Sequence, residues 1–398
     1  MLKVPLEQAK AGMVLARSVS NPKQPDQSLL KAGYKLEEES LNRLKELWVR
    51  NLWVRYPSLD FLDDTLDPEI TRQQQDMYSA LKNQFSADQE MSLAQVPYSV
   101  YVQQITSLFS RLLTQKNGAS IFINELFGEA NDVFLHGTTV AYLSMLIGIH
   151  LENYLVHERP KLPSHLATDL TQLGVGCLLH DIGKLSLPEE LQNFRITAQD
   201  RGDPEWQKHT EAGYEMVQGG LDPTAAQVVL NHHQHFDGSG FPDRKPVFGD
   251  AQRLEPLQSD DIHIFCRIAC IADRFEGFRK LHDGNIAPSV IALKRMRNPG
   301  YKKWFDPQVY AAFEQTVPPF APGDQVVLNN GQSVVVTELN PAYPCRPIVR
   351  PIDLALAEDP NKNKKVEETI EESDINLALR GDLFIQKVDE FDVTEYLF

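Results

Sequence analysis

Apolar positions along the chain fall into three textures. In residues 1–64, Val14-Leu15-Ala16 and Leu52-Trp53-Val54 read as strands, and Leu36, Leu41, Leu44 and Leu47 recur between them at helical spacing. This predicts a small α+β module. From Asp67-Pro68 to about Lys116 the pattern is helical and rich in polar residues, which predicts a helical connector over 65–130. A third stretch, 131–317, carries helical apolar periodicity nearly throughout. Three Asp-Pro pairs punctuate it: Asp203-Pro204, Asp222-Pro223 and Asp306-Pro307. Aspartate accepts from the free N–H groups of a first turn, and proline fits the first helical position, so each pair predicts a helix start. After Pro318-Pro319 the texture changes. Val326-Val327-Leu328, Asn329-Asn330-Gly331 and Ser333 to Thr337 read as a β-hairpin, with Ile348-Val349-Arg350 as a further strand. Lys362 to Asp374 is charged and reads as a loop. The expected fold is therefore mainly α, with a small β-rich region over 318–398.

Composition narrows the class. Hydrophobic residues make up 42%, enough to bury a core and to exclude wholesale disorder. Cys177, Cys266, Cys270 and Cys345 form no CxxC pair and read as reduced thiols, with Cys266 and Cys270 as core packing. Met1 to Pro5 has no long apolar run, and the most apolar helical stretch, Thr138 to Leu151, is short of the roughly 20 residues a membrane span needs. These readings predict a cytoplasmic protein without membrane insertion. The net charge of -16 argues against a nucleic-acid groove, which wants a basic face. It leaves room for a small anionic substrate, because bound metal ions reverse the local field.

The candidate chemistry lies in His136, His180-Asp181, His209, His232-His233 and Asp273, each in or at the end of a different expected helix. His180-Asp181 follows the apolar run Val175 to Leu179 and precedes Ile182-Gly183-Lys184. Its imidazole and carboxylate suit a divalent metal with mixed nitrogen and oxygen ligands, and a carboxylate is able to bridge two ions. Asp273 sits among apolar residues, where an unpaired carboxylate is costly. A metal is one partner for it; an ion pair with Arg274, or exposure at the helix edge, is the other reading. Any one of these residues alone is more ordinarily a satisfied core side chain. Their joint delivery from several helices is what points to metal binding, since helical bundles hold metals between facing helices. His150, His157, His165, His263 and His282 read as surface or core residues, and His235 as a loop or supporting residue.

The ordered set His180-Asp181-Ile182-Gly183-Lys184, His209, His232-His233, Asp237-Gly238-Ser239-Gly240-Phe241-Pro242 and Asp273 resembles the HD-GYP branch of the HD superfamily, over roughly residues 130–315. The leading module and the tail hairpin resemble segments attached to some of these bacterial proteins. The resemblance implies a helical HD-type bundle with two or three divalent metals, iron or manganese. It implies His180, Asp181, His209, His232, His233 and Asp273 as ligands, and cyclic di-GMP hydrolysis in signal transduction. Trinuclear relatives add a carboxylate and a histidine one helical turn apart. Asp132 and His136 have that spacing, although the family uses glutamate, and Asp132 reads equally as a helix N-terminal charge. By the same resemblance, metals at Asp181 generate hydroxide from water, and Lys184 neutralises charge growing on the phosphate. The plainer reading of Lys184 is a surface lysine at a helix end.

The chain also departs from the family. Phe241 replaces the family's tyrosine, and Gln234 stands where glutamate is usual. After Asp273 the chain reads Arg274-Phe275-Glu276-Gly277-Phe278-Arg279-Lys280 in place of an Arg-Pro-Tyr-Arg-like stretch. Arg279 and Lys280 are the candidates to replace its phosphate contacts. The loop Asp237, Gly238, Gly240, Phe241, Pro242 is the candidate docking site for signalling partners. The expected function is a metal-dependent cyclic di-GMP phosphodiesterase. The alternatives are a catalytically weak HD-GYP-like binding module, or an HD phosphohydrolase for another nucleotide.

Overall fold

A computed structural model describes residues 1–21, 24–47, 49, 51–56, 59, 61–62, 67–85, 98–114, 132–192, 203–244, 254–281, 285–357 and 374–398. Described helices of eight residues or more are α1 (Glu38–Glu46), α2 (Pro68–Gln84), α3 (Tyr98–Thr114), α4 (Val133–Ile149), α5 (Thr171–Leu179), α6 (His209–Val217), α7 (Pro223–Asn231), α8 (Ile264–Arg279), α9 (Ser289–Met296) and α10 (Pro307–Thr316). Strands are β1 (Leu2–Pro5), β2 (Val19–Asn21), β3 (Gln24–Leu30), β4 (Asn51–Val54), β5 (Gln325–Leu328), β6 (Ser333–Glu338), β7 (Ile348–Pro351), β8 (Ile375–Asn376), β9 (Ile385–Val388) and β10 (Phe391–Asp392). The mainly α architecture agrees with the sequence pattern.

Helix α4 is the axis of the bundle. It is buried without interruption from His136 to Gly148, so it has no polar face, and α2, α5, α8 and α10 pack round it. Local chemistry starts the helices as expected. Asp203, Asp222 and Asp306 accept from the N–H groups of Glu205, Thr224 and Gln308 at 2.7, 2.7 and 2.8 Å. Asp67 caps α2 in the same way, accepting from Glu69 at 3.0 Å.

The tail forms an antiparallel sheet in the order β10-β9-β5-β6-β7-β8. Its hairpin β5–β6 pairs Val326 with Val334, and Gly331 turns it at φ +83°, a conformation that favours glycine. The sheet's inner face packs on Ala287, Val290 and Ile291, so α9 joins it to the helical core.

In the leading module β1 pairs with β4, and α1 buries Leu41 and Leu44 against them. Val335 and Ala357 from the tail complete that core. The expected strand at Val14-Leu15-Ala16 is a correction: Val14 and Leu15 make only single bridges, to Lys35 and Val54, and the strand that pairs with β4 is β1. The expected boundaries near 64 and 130, the loop over 362–373 and His282 lie outside the described residues. Among the described residues, no single helix is long and apolar enough to cross a membrane.

Candidate metal centre

Seven side chains of the expected set converge at the open end of α4 and α5. His136 comes from the first turn of α4, His180 and Asp181 from the end of α5, and His209 from the start of α6. His232 and His233 follow α7, and Asp273 comes from the middle of α8. All are buried. Helix α5 ends at Leu179 and continues as a tight 3-10 turn over Ile182–Ser186. Gly183 in that turn lies against the start of α6: a Cβ there would sit 2.0 Å from the His209 carbonyl oxygen. The missing side chain is what lets Asp181 approach His209.

Asp181 is the hub. Its Oδ1 lies 3.5 Å from His209 Nε2 and 3.7 Å from His232 Nε2. Its Oδ2 lies 3.4 Å from His180 Nε2 and 3.6 Å from His136 Nε2. Asp273 Oδ1 lies 3.0 Å from His136 Nε2 and 3.7 Å from His180 Nε2. Two compact ligand groups result, Asp181 with His209, His232 and His233, and Asp181 with His136 and His180.

Three of the histidines are set in the same way. The Nδ1 groups of His180, His209 and His232 donate to the carbonyls of Cys177, Trp206 and Val229, three residues earlier, at 2.6, 2.7 and 2.9 Å. A carbonyl only accepts, so each Nδ1 carries a proton and each Nε2 is the atom turned to Asp181. Among the described residues His180 Nε2 and Asp181 Oδ1 are buried without a hydrogen-bond partner. Such buried atoms are costly unless something satisfies them. A nitrogen and carboxylate set of this kind fits a divalent cation.

Electrostatics agree with that donor set at His136, His209, His232 and His233, and depart from it at His180. Burial pushes His209 down to about 4 and holds His232 and His233 well below the ordinary histidine value, so all three are neutral imidazoles. Burial, with the charge of Lys280, brings His136 down to about 3. Burial also opposes charge on His180, but Asp181 and Asp273 outweigh it and raise that imidazole to about 9. Burial opposes ionisation of Asp181, yet the charges of His180 and Lys184 hold it well below the usual carboxylate range. Asp273 is likewise held down, against burial, by its hydrogen bond with His136 and by the nearby His180 imidazole.

The family model described as HD domain matches residues 161–309. Residues 161–309 thus carry an HD domain. Cyclic di-GMP phosphodiesterase PA4108 of Pseudomonas aeruginosa is 29% identical over 215 residues, 52% of this chain and 44% of that protein. The 3'3'-cGAMP-specific phosphodiesterase 2 of Vibrio cholerae is 36% identical over 25% of this chain and 17% of its own length. The response regulator RpfG of Xanthomonas campestris pv. campestris, named a cyclic di-GMP phosphodiesterase, is 31% identical over 25% of this chain and 24% of its own. The chain thus spans less than half the length of these relatives. A solved HD-GYP-type protein from Bdellovibrio bacteriovorus, Bd1817, is 16% identical over 79% of this chain and 98% of its own, with a TM-score of 0.40, too loose to bear on the site.

Within this HD domain and beside it, other expected residues take different places. Lys184 donates to Asp181 Oδ2 at 2.5 Å and lies over the Trp206 ring at 5.5 Å, so it is part of the site and not a loose surface lysine. Asp132 does not join the cluster, which corrects its expected role as a ligand. Its Oδ1 accepts from the N–H groups of Phe134 and Leu135 at 2.9 and 3.2 Å, and its Oδ2 from Tyr78 at 2.8 Å. One oxygen serves the start of α4 and the other ties it to α2. Arg279 is also corrected: it is buried, its guanidinium 3.6 Å from Glu276 and its Nε donating to Ala287 at 3.2 Å. Lys280, by contrast, is close enough for its charge to act on His136, Asp181 and Asp273.

The GYP-like loop is an inner wall more than a docking ring. Phe241 is 1% exposed and packs on His233 and Trp206 at 4.7 and 5.7 Å between ring centres. Its N–H donates to the His233 carbonyl at 3.1 Å. Gln234 donates to the Pro242 carbonyl at 2.5 Å and accepts from Leu257 at 2.9 Å, so the replaced glutamate position ties this loop to the following segment. Gly238 turns the loop at φ +76°, Gly240 is buried, and only Asp237, held by Ser239 and Lys303, faces outward. Sequence reasoning missed Trp206, which supplies the His209 acceptor and the ring beneath Lys184. Its position three residues before a ligand-type histidine was the available signal. It also weighed Arg274 only as an ion-pair partner of Asp273, whose Oδ2 lies 3.8 Å from its Nε, whereas Arg274 also donates to His233 Nδ1 at 2.5 Å and lies over Trp304.

Proposed function

We propose that this chain is a metal-dependent phosphodiesterase that hydrolyses a cyclic dinucleotide, with cyclic di-GMP as the first candidate substrate. The observation that carries the reading is one carboxylate, Asp181, shared by two ligand groups. On this reading His209, His232 and His233 hold one divalent ion with Asp181. His136 and His180 would hold a second, again with Asp181, and Asp273 would support it. Iron or manganese suits the mixed imidazole and carboxylate set. Bound metal ions of this type lower the pKa of water, giving a nucleophile at neutral pH. The chain supplies the rest. Lys184 is held by Asp181 and Trp206 where its ammonium reaches a phosphate oxygen, and charge developing there is stabilised by a fixed cation. Lys280 adds a second positive charge on the same side. Phe241 and Trp206 exclude water behind the histidines.

The names of three relatives support the substrate class, and the name of the Vibrio protein makes 3'3'-cGAMP the second nucleotide to test. Four free, buried cysteines are in keeping with a reducing compartment, so we place the protein in the cytoplasm. The test is metal analysis of the purified chain, followed by chromatography of products after anaerobic incubation with iron or manganese. Cyclic di-GMP and 3'3'-cGAMP are offered separately. Bound metal near two equivalents with hydrolysis of either supports the reading. Metal without turnover of either nucleotide overturns it in favour of a binding module.

A further inference from the structure

Asp273, in the middle of α8, and Lys280, which follows its last turn, stand seven residues apart, two helical turns, so the two side chains leave the same side of the helix. That face carries Asp273 to the metal centre, and the Lys280 charge, coupled first to Glu276, also acts on Lys184, Asp181, Asp273 and His136. Arg279, one residue earlier, points about 100° away, into the protein. There it grips the chain returning from α8. Its Nε donates to the Ala287 carbonyl at 3.2 Å, and its own carbonyl accepts the Ala287 N–H at 2.7 Å. Alongside, Lys280 bridges Ile286, and the Leu281 N–H donates to Asn285 at 2.9 Å. The guanidinium itself is anchored by Glu276 at 3.6 Å and by the Phe275 ring at 5.8 Å, and it feels the charge of Asp324 at the base of the tail sheet. Residues 279–281 and 285–287 are therefore locked side by side through one buried arginine.

We infer that Arg279 is a positioning residue that fixes this ribbon so that Lys280 presents its ammonium to the phosphate of the substrate. The two basic residues have separate roles, with Lys280 binding phosphate and Arg279 holding Lys280 in place. A lysine on a flexible four-carbon stem loses much conformational freedom when it binds, and a fixed ribbon removes part of that loss beforehand. The inference rests on the phosphodiesterase reading, and the experiment separates the two.

In the full chain with metal bound, Lys280→Met should raise KM for cyclic di-GMP about tenfold, with a smaller effect on kcat and no loss of bound metal. Arg279→Met should raise KM in the same way, although its side chain never meets substrate. The double variant should be no worse than Lys280→Met alone, within about twofold, because both act through one ammonium. Additive effects, or a fall in kcat with KM unchanged, overturn the inference and leave Arg279 a structural residue. If Arg279→Met does not fold, Arg279→Lys takes its place. It keeps the charge beside Glu276 but loses the planar fork on Ala287, and its smaller rise in KM should vanish on the Lys280→Met background. A rise that persists there overturns the inference. The same variants are read with bis(p-nitrophenyl) phosphate, a phosphodiester without a nucleotide. The non-additive pattern on that substrate, with no turnover of cyclic di-GMP, keeps this inference and rejects the nucleotide assignment. No turnover of either rejects both.

Discussion

The Lys184 ammonium sits 2.5 Å from Asp181 Oδ2, on the one carboxylate that both ligand groups share. The other oxygen, Oδ1, faces the His209 and His232 nitrogens. Asp181→Asn keeps the shape and removes the charge. It should strip metal from the purified protein and abolish turnover together, with helical circular dichroism unchanged. A variant that keeps its full metal content by elemental analysis would show that Asp181 is not the shared ligand.

Lys184→Met tests the cation on the other side of that pair. A charge-assisted hydrogen bond to phosphate contributes roughly 1.5–3 kcal/mol, so kcat/KM should fall about ten- to a hundredfold. Metal content should not fall, because lysine is not a ligand and its removal takes away a competing positive charge. Loss of metal in parallel with activity would instead assign Lys184 to holding Asp181 in place.

Much of this site is legible in the sequence because histidine and aspartate stand out against apolar helices such as α4, α5 and α8. The Asp-Pro helix starts and the Asn329-Asn330-Gly331 hairpin are legible for a related reason: each is a local backbone requirement met by a small set of residues. Contacts set by tertiary packing are not. Asp132 and His136 share helical spacing, but Asp132 lies just before the first turn, and its side chain folds back onto the free N–H groups there. Arg279 and Lys280 are chemically alike and adjacent, so composition does not separate them; only their angle from Asp273 on the helix does. Val14-Leu15-Ala16 has strand-like residues, yet it meets β4 through the single bridge Leu15 to Val54, while Leu2–Pro5 pairs with β4 along its whole length.

The contrast between Asp132 and His136 is itself testable. Asp132→Ala removes an N-cap and the acceptor of Tyr78, and should cost about 0.5–2 kcal/mol in urea unfolding, with metal content unchanged. His136→Ala should lower bound metal by about one equivalent. If Asp132→Ala loses metal to the same extent, Asp132 is a ligand and the capping assignment fails.

Gly183→Ala asks whether the close approach of the 3-10 turn to α6 builds the site. An added Cβ would meet the His209 carbonyl oxygen at 2.0 Å and the Gly213 nitrogen at 2.5 Å. Both are backbone atoms, so no flexible side chain is able to give way, and the turn must separate from the helix start. Overpacking of this kind typically costs about 1–3 kcal/mol. The separation also withdraws His209 from Asp181, so metal on the His209 and His232 side should be lost while His136 and His180 keep theirs. Gly219→Ala is the control, since nothing lies within 4 Å of a Cβ there. It should match the native protein in urea unfolding and in metal content. A Gly183→Ala protein as stable and as fully metallated as the Gly219→Ala control would mean that the turn and α6 are not packed as closely as these distances require.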